Sequence, residues 1–170
     1  MSTPLPPPLP NTYWPDPGRL LAGEYPGSLD PEQATDKLRT LQQAGVTAFI
    51  DLTSPADKLI PYAEQLSTAS HHPFPIRDGS IPTHRDHTLA ILDAIDHHID
   101  QGGMAYVHCW GGIGRTGVIV GCWLVRQGLD GEQALARLRA IWRQCVKSAT
   151  RNTPETAEQA RYILGWQDRG

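Results

Sequence analysis

Apolar positions along the chain alternate between short continuous runs and runs at helical spacing. Val46 to Leu52 and Met104 to His108 are short, apolar and partly β-branched, which predicts buried strands. Arg19 to Gly23 and Pro73 to Ile76 predict two more. Between these runs the spacing changes. Leu89, Leu92, Ile95 and Ile99 share one face of a helix predicted from Thr83 to about Gln101, which Gly102-Gly103 ends. Asp30-Pro31, a capping acid followed by proline, opens a helix to about Ala44 with Gly45 as its stop. The chain from Gly114 or Arg115 to about Gln127 is apolar nearly throughout, as in a buried helix. Asp130 caps a further helix with Leu135, Leu138, Ile141, Trp142 and Cys145 at periodic positions, and Thr153-Pro154 opens the last one by the same capping logic. Thr53-Ser54-Pro55 breaks the second strand, and a short helix fits around 61–67.

Strands alternating with helices predict an α/β domain: a mostly parallel central sheet with helices on both faces. The proline-rich stretch from Pro4 to Pro17 reads as an irregular or polyproline-type arm, so the expected division is an arm, 1–17, and a single domain, 18–170. Ligands in such sheets bind beyond the carboxyl ends of the strands. The segment expected there is His108 to Arg115.

Composition narrows the function. A chain of 170 residues suits one domain that buries about two-thirds of its unfolded surface. A net charge of −3 with mixed signs gives no footprint for nucleic acid or an anionic membrane. The first ten residues lack the basic and apolar regions of a signal peptide, and no stretch approaches the roughly 18 apolar residues of a membrane span. Three cysteines do not suggest a disulfide framework, so the expectation is a reducing cytoplasm; the expected state is a monomer.

The chemistry concentrates in His108-Cys109-Trp110-Gly111-Gly112-Ile113-Gly114-Arg115-Thr116. Glycines at 111, 112 and 114 let the backbone turn its N–H groups toward a ligand, and successive inward N–H groups form an anion-binding concavity. The helix that follows adds its positive end, and Arg115 adds a planar fork matched to two oxygens of one phosphate. Trp110, Gly111, Gly112, Ile113 and Gly114 are thus candidate phosphate ligands through their backbone. A thiol at a helix N-terminus beside a cation is biased toward the reactive thiolate. The Thr116 hydroxyl is placed to donate to that sulfur.

Cys-(five residues)-Arg-Thr preceded by His resembles the signature of the protein tyrosine phosphatase superfamily, in its small dual-specificity-like branch. The match is tight over 104–117 and looser over most of 18–166. The resemblance implies a phosphoric monoester hydrolase acting through a phosphocysteine intermediate, with no metal or other cofactor. Cys109 would be the nucleophile and Arg115 the phosphate clamp. An aspartate about thirty residues upstream would be the acid and then the base. Asp78 lies 31 residues before Cys109, on a loop with Gly79; Asp86, at 23, is the competitor and fits better in a helix's first turn. The resemblance also implies a supporting role for His108 and a water-positioning role for Gln159. The implied substrate is a phosphorylated protein or a small phosphate ester, with phosphotyrosine or aryl phosphates favoured over phosphoserine.

Other readings fit the sequence less well. A catalytically weak phosphate-binding module usually lacks the cysteine, arginine or acid, all present here. A rhodanese-like sulfurtransferase does not need the Arg-Thr ending or the upstream aspartate. A phosphatase of a non-protein ester stays open, though no lysine between Cys109 and Arg115 favours a phosphoinositide. Arg19, Arg77 and Arg85 are candidates for a secondary anion contact. His71-His72 and His97-His98 do not have metal-ligand spacing, and Cys122 and Cys145 read as small buried hydrophobes.

Overall fold

The computed structural model describes residues 4–168; the outermost residues of the expected arm, 1–3, and of the expected domain, 169–170, lie outside the described residues. Five strands, β1 (Thr12–Asp16), β2 (Leu20–Gly23), β3 (Ala48–Asp51), β4 (Ser70–Pro73) and β5 (Ala105–His108), form one sheet in the order β1-β2-β5-β3-β4. Every pairing is parallel except β1 with β2. Five helices accompany them: α1 (Pro31–Gln43), α2 (Arg85–Asp100), α3 (Arg115–Arg126), α4 (Gly131–Trp142) and α5 (Ala157–Leu164). The expected α/β class, a mostly parallel sheet between helices, is the one observed.

The period-two alternation of strand side chains separates two apolar layers. Leu21, Phe49 and Tyr106 point to the side that holds Leu38 and Leu41 of α1. Leu20, Ala22, Ile50 and Val107 point to the other, where Ile91, Ile95, Val118, Val120, Leu138 and Ile163 of α2, α3, α4 and α5 close the core. Strands β2, β5 and β3 are buried throughout, as continuous apolar runs in a parallel sheet should be. The central strand β5 delivers His108 to the carboxyl edge of the sheet, between β2 and β3.

Several boundaries differ from expectation. The segment read as irregular contains β1, which pairs with β2 across a register shift between Tyr13 and Asp16. Its Pro15 is tolerated because β1 is an edge strand. Strand β4 runs Ser70–Pro73, ahead of the predicted 73–76, because its half-exposed His71 and His72 hide an edge strand from an apolar-run search. The chain nevertheless stays against β3 beyond it, with Phe74 N–H donating to Asp51 O at 2.8 Å and Ile76 N–H to Leu52 O at 3.0 Å. The helix around 61–67 is a single 3-10 turn, Ala63–Gln65. Helix α2 starts at Arg85 after His84, with Asp86 in its first turn. The last helix is capped by Thr156, whose Oγ1 accepts from Gln159 N–H, three residues beyond the predicted Thr153. No described helix is long and apolar enough to cross a membrane.

Candidate active site

The loop between β5 and α3 is shaped from outside. The Cys109 carbonyl accepts from His108 Nδ1 at 3.0 Å, Trp110 O from Tyr25 N–H at 2.9 Å, and Gly111 O from Lys147 Nζ at 2.9 Å. Ile113 O accepts from Thr153 Oγ1 at 2.6 Å, and Gly114 O from Val118 N–H at 3.0 Å, the first bond of α3. With its carbonyls held by surrounding groups, the loop can offer N–H groups to the space it encloses, the arrangement that binds an anion. Gly112 N–H already donates to Cys109 Sγ at 3.3 Å. Gly112 has φ +76°, and a Cβ there would meet the Gly23 carbonyl carbon at 2.5 Å.

Cys109, 2% exposed, lines a cavity of about 520 Å³ together with Asp78, Trp110, Gly114, Lys147 and Arg151. Arg115, at the first position of α3, is 1% exposed. Its guanidinium forks onto Asp57, Nη1 to Oδ2 at 2.8 Å and Nη2 to Oδ1 at 3.3 Å, and Nη1 also donates to Ile76 O at 3.0 Å. Asp78 Oδ1 lies 3.2 Å from Nη2. Burial opposes the guanidinium's charge, but Asp57, the Cys109 thiol and Asp78 outweigh it and raise the Arg115 pKa. The Asp78 side chain is 61% exposed and sits in the Arg77–Ser80 turn, closed by Ser80 N–H donating to Arg77 O at 3.1 Å. Gly79 supplies the turn's φ of +73°. Of the two candidate acids, the structure brings Asp78 to the cysteine and leaves Asp86 in the first turn of α2.

His108 is sealed behind the loop. With its Nδ1–H given to Cys109 O, its Nε2 accepts from the Tyr62 hydroxyl at 2.5 Å. Burial pushes the His108 pKa down, against the pull of Asp51. Asp51 Oδ1 is 3.7 Å from His108 Nε2, and its Oδ2 accepts from His71 Nε2 at 2.8 Å. Burial alone would raise the Asp51 carboxyl; the bond to His71, the nearby His108 ring and two bonds from Thr53 lower it to about 2.

Gln159 is fully buried at the far side of the loop, against Gly114. Its Oε1 accepts from Glu155 and Thr156 N–H at 3.0 and 3.1 Å, and its Nε2 donates to Ser80 O at 3.0 Å. Its amide therefore ties the Asp78 turn to the start of α5. The Thr116 hydroxyl is buried without a hydrogen-bond partner, so the expected bond to Cys109 Sγ is not made. Arg19 pairs with Asp16, and Arg85 donates to Asp168 O and lies over the Trp166 ring, so neither reaches the cavity. Among the described residues no group of three or more His, Cys, Asp or Glu is placed to hold a metal ion.

Asp57, Lys147 and Tyr62 are absent from the sequence expectation. Asp57 had one local signal, Ser54-Pro55 opening a helical turn in which Asp57 Oδ2 accepts from Ser54 N–H at 2.7 Å. Lys147 and Tyr62 have none, since only the fold brings them to the loop.

Residues 25–129 match the model of a family described as Tc-R-P, polymorphic toxin system, DSP-PTPase phosphatase. The chain is 36% identical over 109 residues to protein 067L of Invertebrate iridescent virus 3, whose name describes a tyrosine phosphatase; the match covers 62% of this chain and 42% of that one. The chain spans about half the length of the first curated relatives it matches. In fold it is similar to the crystal structure of Tk-PTP in the active form, with a TM-score of 0.74, 24% identity and coverage of 94% of this chain and 98% of that one. It is also similar to P. aeruginosa TpbA in complex with pTyr, with a TM-score of 0.65, 17% identity and coverage of 95% and 87%.

Proposed function

The chain belongs to the DSP-PTPase phosphatase family of polymorphic toxin systems, and on that premise we propose that it hydrolyses phosphate monoesters as a cysteine-dependent tyrosine or dual-specificity phosphatase. The observation that carries the reading is the convergence of Cys109, the outward-anchored loop and Asp78 on one cavity, with Arg115 held 3.2 Å from Asp78 behind it.

In this mechanism the phosphoryl group enters the loop and its equatorial oxygens take up the inward N–H groups and the Arg115 Nε–H, the guanidinium donor left without a partner, with Nη2 released to them from Asp78. The Cys109 thiolate attacks phosphorus in line, forming the S–P bond as the P–O bond to the leaving group breaks. Asp78 gives its proton to the departing oxygen. Water then attacks the phosphocysteine, passing its proton back to Asp78, and the S–P bond breaks to release phosphate and thiolate. Charge on the equatorial oxygens is greatest in the transition state, where preformed donors help most. Asp57 keeps the Arg115 fork in place between turnovers. His108 braces the Cys109 carbonyl, and Gln159 holds the turn that carries Asp78. Thr116 is left a role only if its hydroxyl turns to the sulfur during the second step.

The proposed substrate is a phosphorylated protein or a small phosphate ester, with phosphotyrosine preferred because a long aryl ester reaches a buried sulfur more easily than phosphoserine does. The proposed setting is a reducing cytoplasm, where the thiolate survives, and the proposed state is a monomer that needs no metal. Turnover of an aryl phosphate by the wild type, lost in Cys109→Ser, tests the reading; equal turnover in both refutes it.

A further inference from the structure

Trp110 stands between two cavities. On one side is the cavity over Cys109; on the other is a groove of about 390 Å³ that Trp110 shares with Tyr25, Leu29, Lys58 and Ile60. Six large hydrophobic side chains are exposed among the described residues, and three of them lie in this groove: Leu29 at 89%, Trp110 at 53% and Ile60 at 45%. Exposed apolar surface gathered beside a reactive centre marks a contact surface rather than chance. The groove is also built, since the Tyr25 hydroxyl donates to Ile60 O and fixes the two walls together.

Its charges are unevenly satisfied. Glu24 and Lys37 pair with each other, and Asp57 is held by Arg115. Lys58 makes no ion pair among the described residues, is exposed, and has the left-handed φ of 55°, rare for a residue other than glycine. The groove thus offers apolar walls and one free cation, continuous with the phosphate site through Trp110.

Resting on the phosphatase reading above, we propose that this groove is a substrate subsite that takes a large apolar side chain flanking the phosphorylated tyrosine of a peptide, with an acidic neighbour meeting Lys58. A single free lysine and two carboxylates already in ion pairs suit one apolar and one acidic side chain. A polyanionic lipid headgroup would need several free cations.

The test uses phosphotyrosyl peptides of one scaffold with Leu or Ser stepped through the flanking positions, alongside a small aryl phosphate too short to reach the groove. Wild type is expected to favour Leu at one flanking position by on the order of tenfold in kcat/KM. Leu29→Ser with Ile60→Ser is expected to erase that preference while leaving aryl phosphate turnover unchanged. Leu29→Ser alone, at a site too exposed to affect folding, is expected to reduce it severalfold. Lys58→Ala is expected to remove only the gain from an adjacent Glu. No preference in wild type, or a preference that survives both variants, overturns the proposal. So does a double variant that weakens binding to phosphoinositide vesicles but not turnover of peptides. Loss of aryl phosphate turnover in wild type would instead refute the phosphatase reading. Titration of the peptides onto Cys109→Ser would then decide the groove by the same Leu-over-Ser ratio.

Discussion

Arg115 and Asp57 meet through two prongs, at 2.8 and 3.3 Å, with their side chains 1% and 3% exposed. A buried guanidinium cannot discard its charge, so the aspartate supplies its counter-charge and fixes its orientation beside the proposed phosphate site. Asp57→Asn keeps the shape and removes the charge. Its expected effect is a rise in KM and a fall in kcat/KM of about tenfold to a hundredfold, or about 1.4–2.7 kcal/mol of transition-state stabilisation. Asp57→Ala is expected to lower stability by about 3–5 kcal/mol, since it leaves the buried cation with only the exposed Asp78 as a counter-charge. Steady-state kinetics and denaturant unfolding check the two parts.

Asp78 is exposed and touches Arg115, so its removal should spare the fold and impair the chemistry. Asp78→Asn is expected to lower kcat by about 10²–10⁴-fold on an ester with a poor leaving group. The loss should be much smaller with nitrophenyl phosphate, whose leaving group departs without a proton. A leaving-group series gives the answer, and a uniform loss across it would argue against the acid role.

At Gly112 the constraint is steric. A methyl group would sit 2.5 Å from the Gly23 carbonyl carbon, on a backbone at φ +76° that resists any side chain. Gly112→Ala is expected to cost about 1–3 kcal/mol in stability and to lose phosphate binding with it, measured by thermal unfolding with and without vanadate.

The pair behind the loop gives the fold a pH dependence. Asp51 has its pKa lowered from 3.8 to about 2, so its contribution is full above pH 4 and is lost as pH falls toward 2. The shift corresponds to about 2 kcal/mol. His108 is also lowered, by burial. The unfolded chain then binds more protons than the folded one below about pH 6.5, so stability falls as pH drops from there. Urea unfolding from pH 7 to pH 3 should show a decline beginning near 6.5 and steepening below 4. Asp51→Asn should remove the lower part of the decline.

The loop from His108 to Thr116 was legible because its chemistry is local: glycines, cysteine, arginine and the helix start lie within nine residues. Asp78 was legible through its distance from Cys109 in related proteins. The three core strands were legible as apolar runs, whereas β1 and β4 were misjudged because edge strands hold prolines and histidines that a buried strand excludes. Gln159 is legible through the same resemblance, but what its amide binds is not, since Ser80 lies 79 residues away. Thr153 looked like a helix cap; its hydroxyl goes to Ile113 O, a preference set by the loop and not by its neighbours in sequence.

The carbonyls of the loop are held by Tyr25 near one end of the chain and by Lys147 and Thr153 near the other. Catalytic competence is therefore not divisible among pieces. A fragment ending at residue 129 would keep Cys109, Arg115 and Asp78 yet leave the carbonyls of Gly111 and Ile113 without their donors. The pocket can assemble only after distant parts of the chain have docked, so the proposed phosphatase activity should report completion of folding, appearing last on refolding and failing first on cleavage.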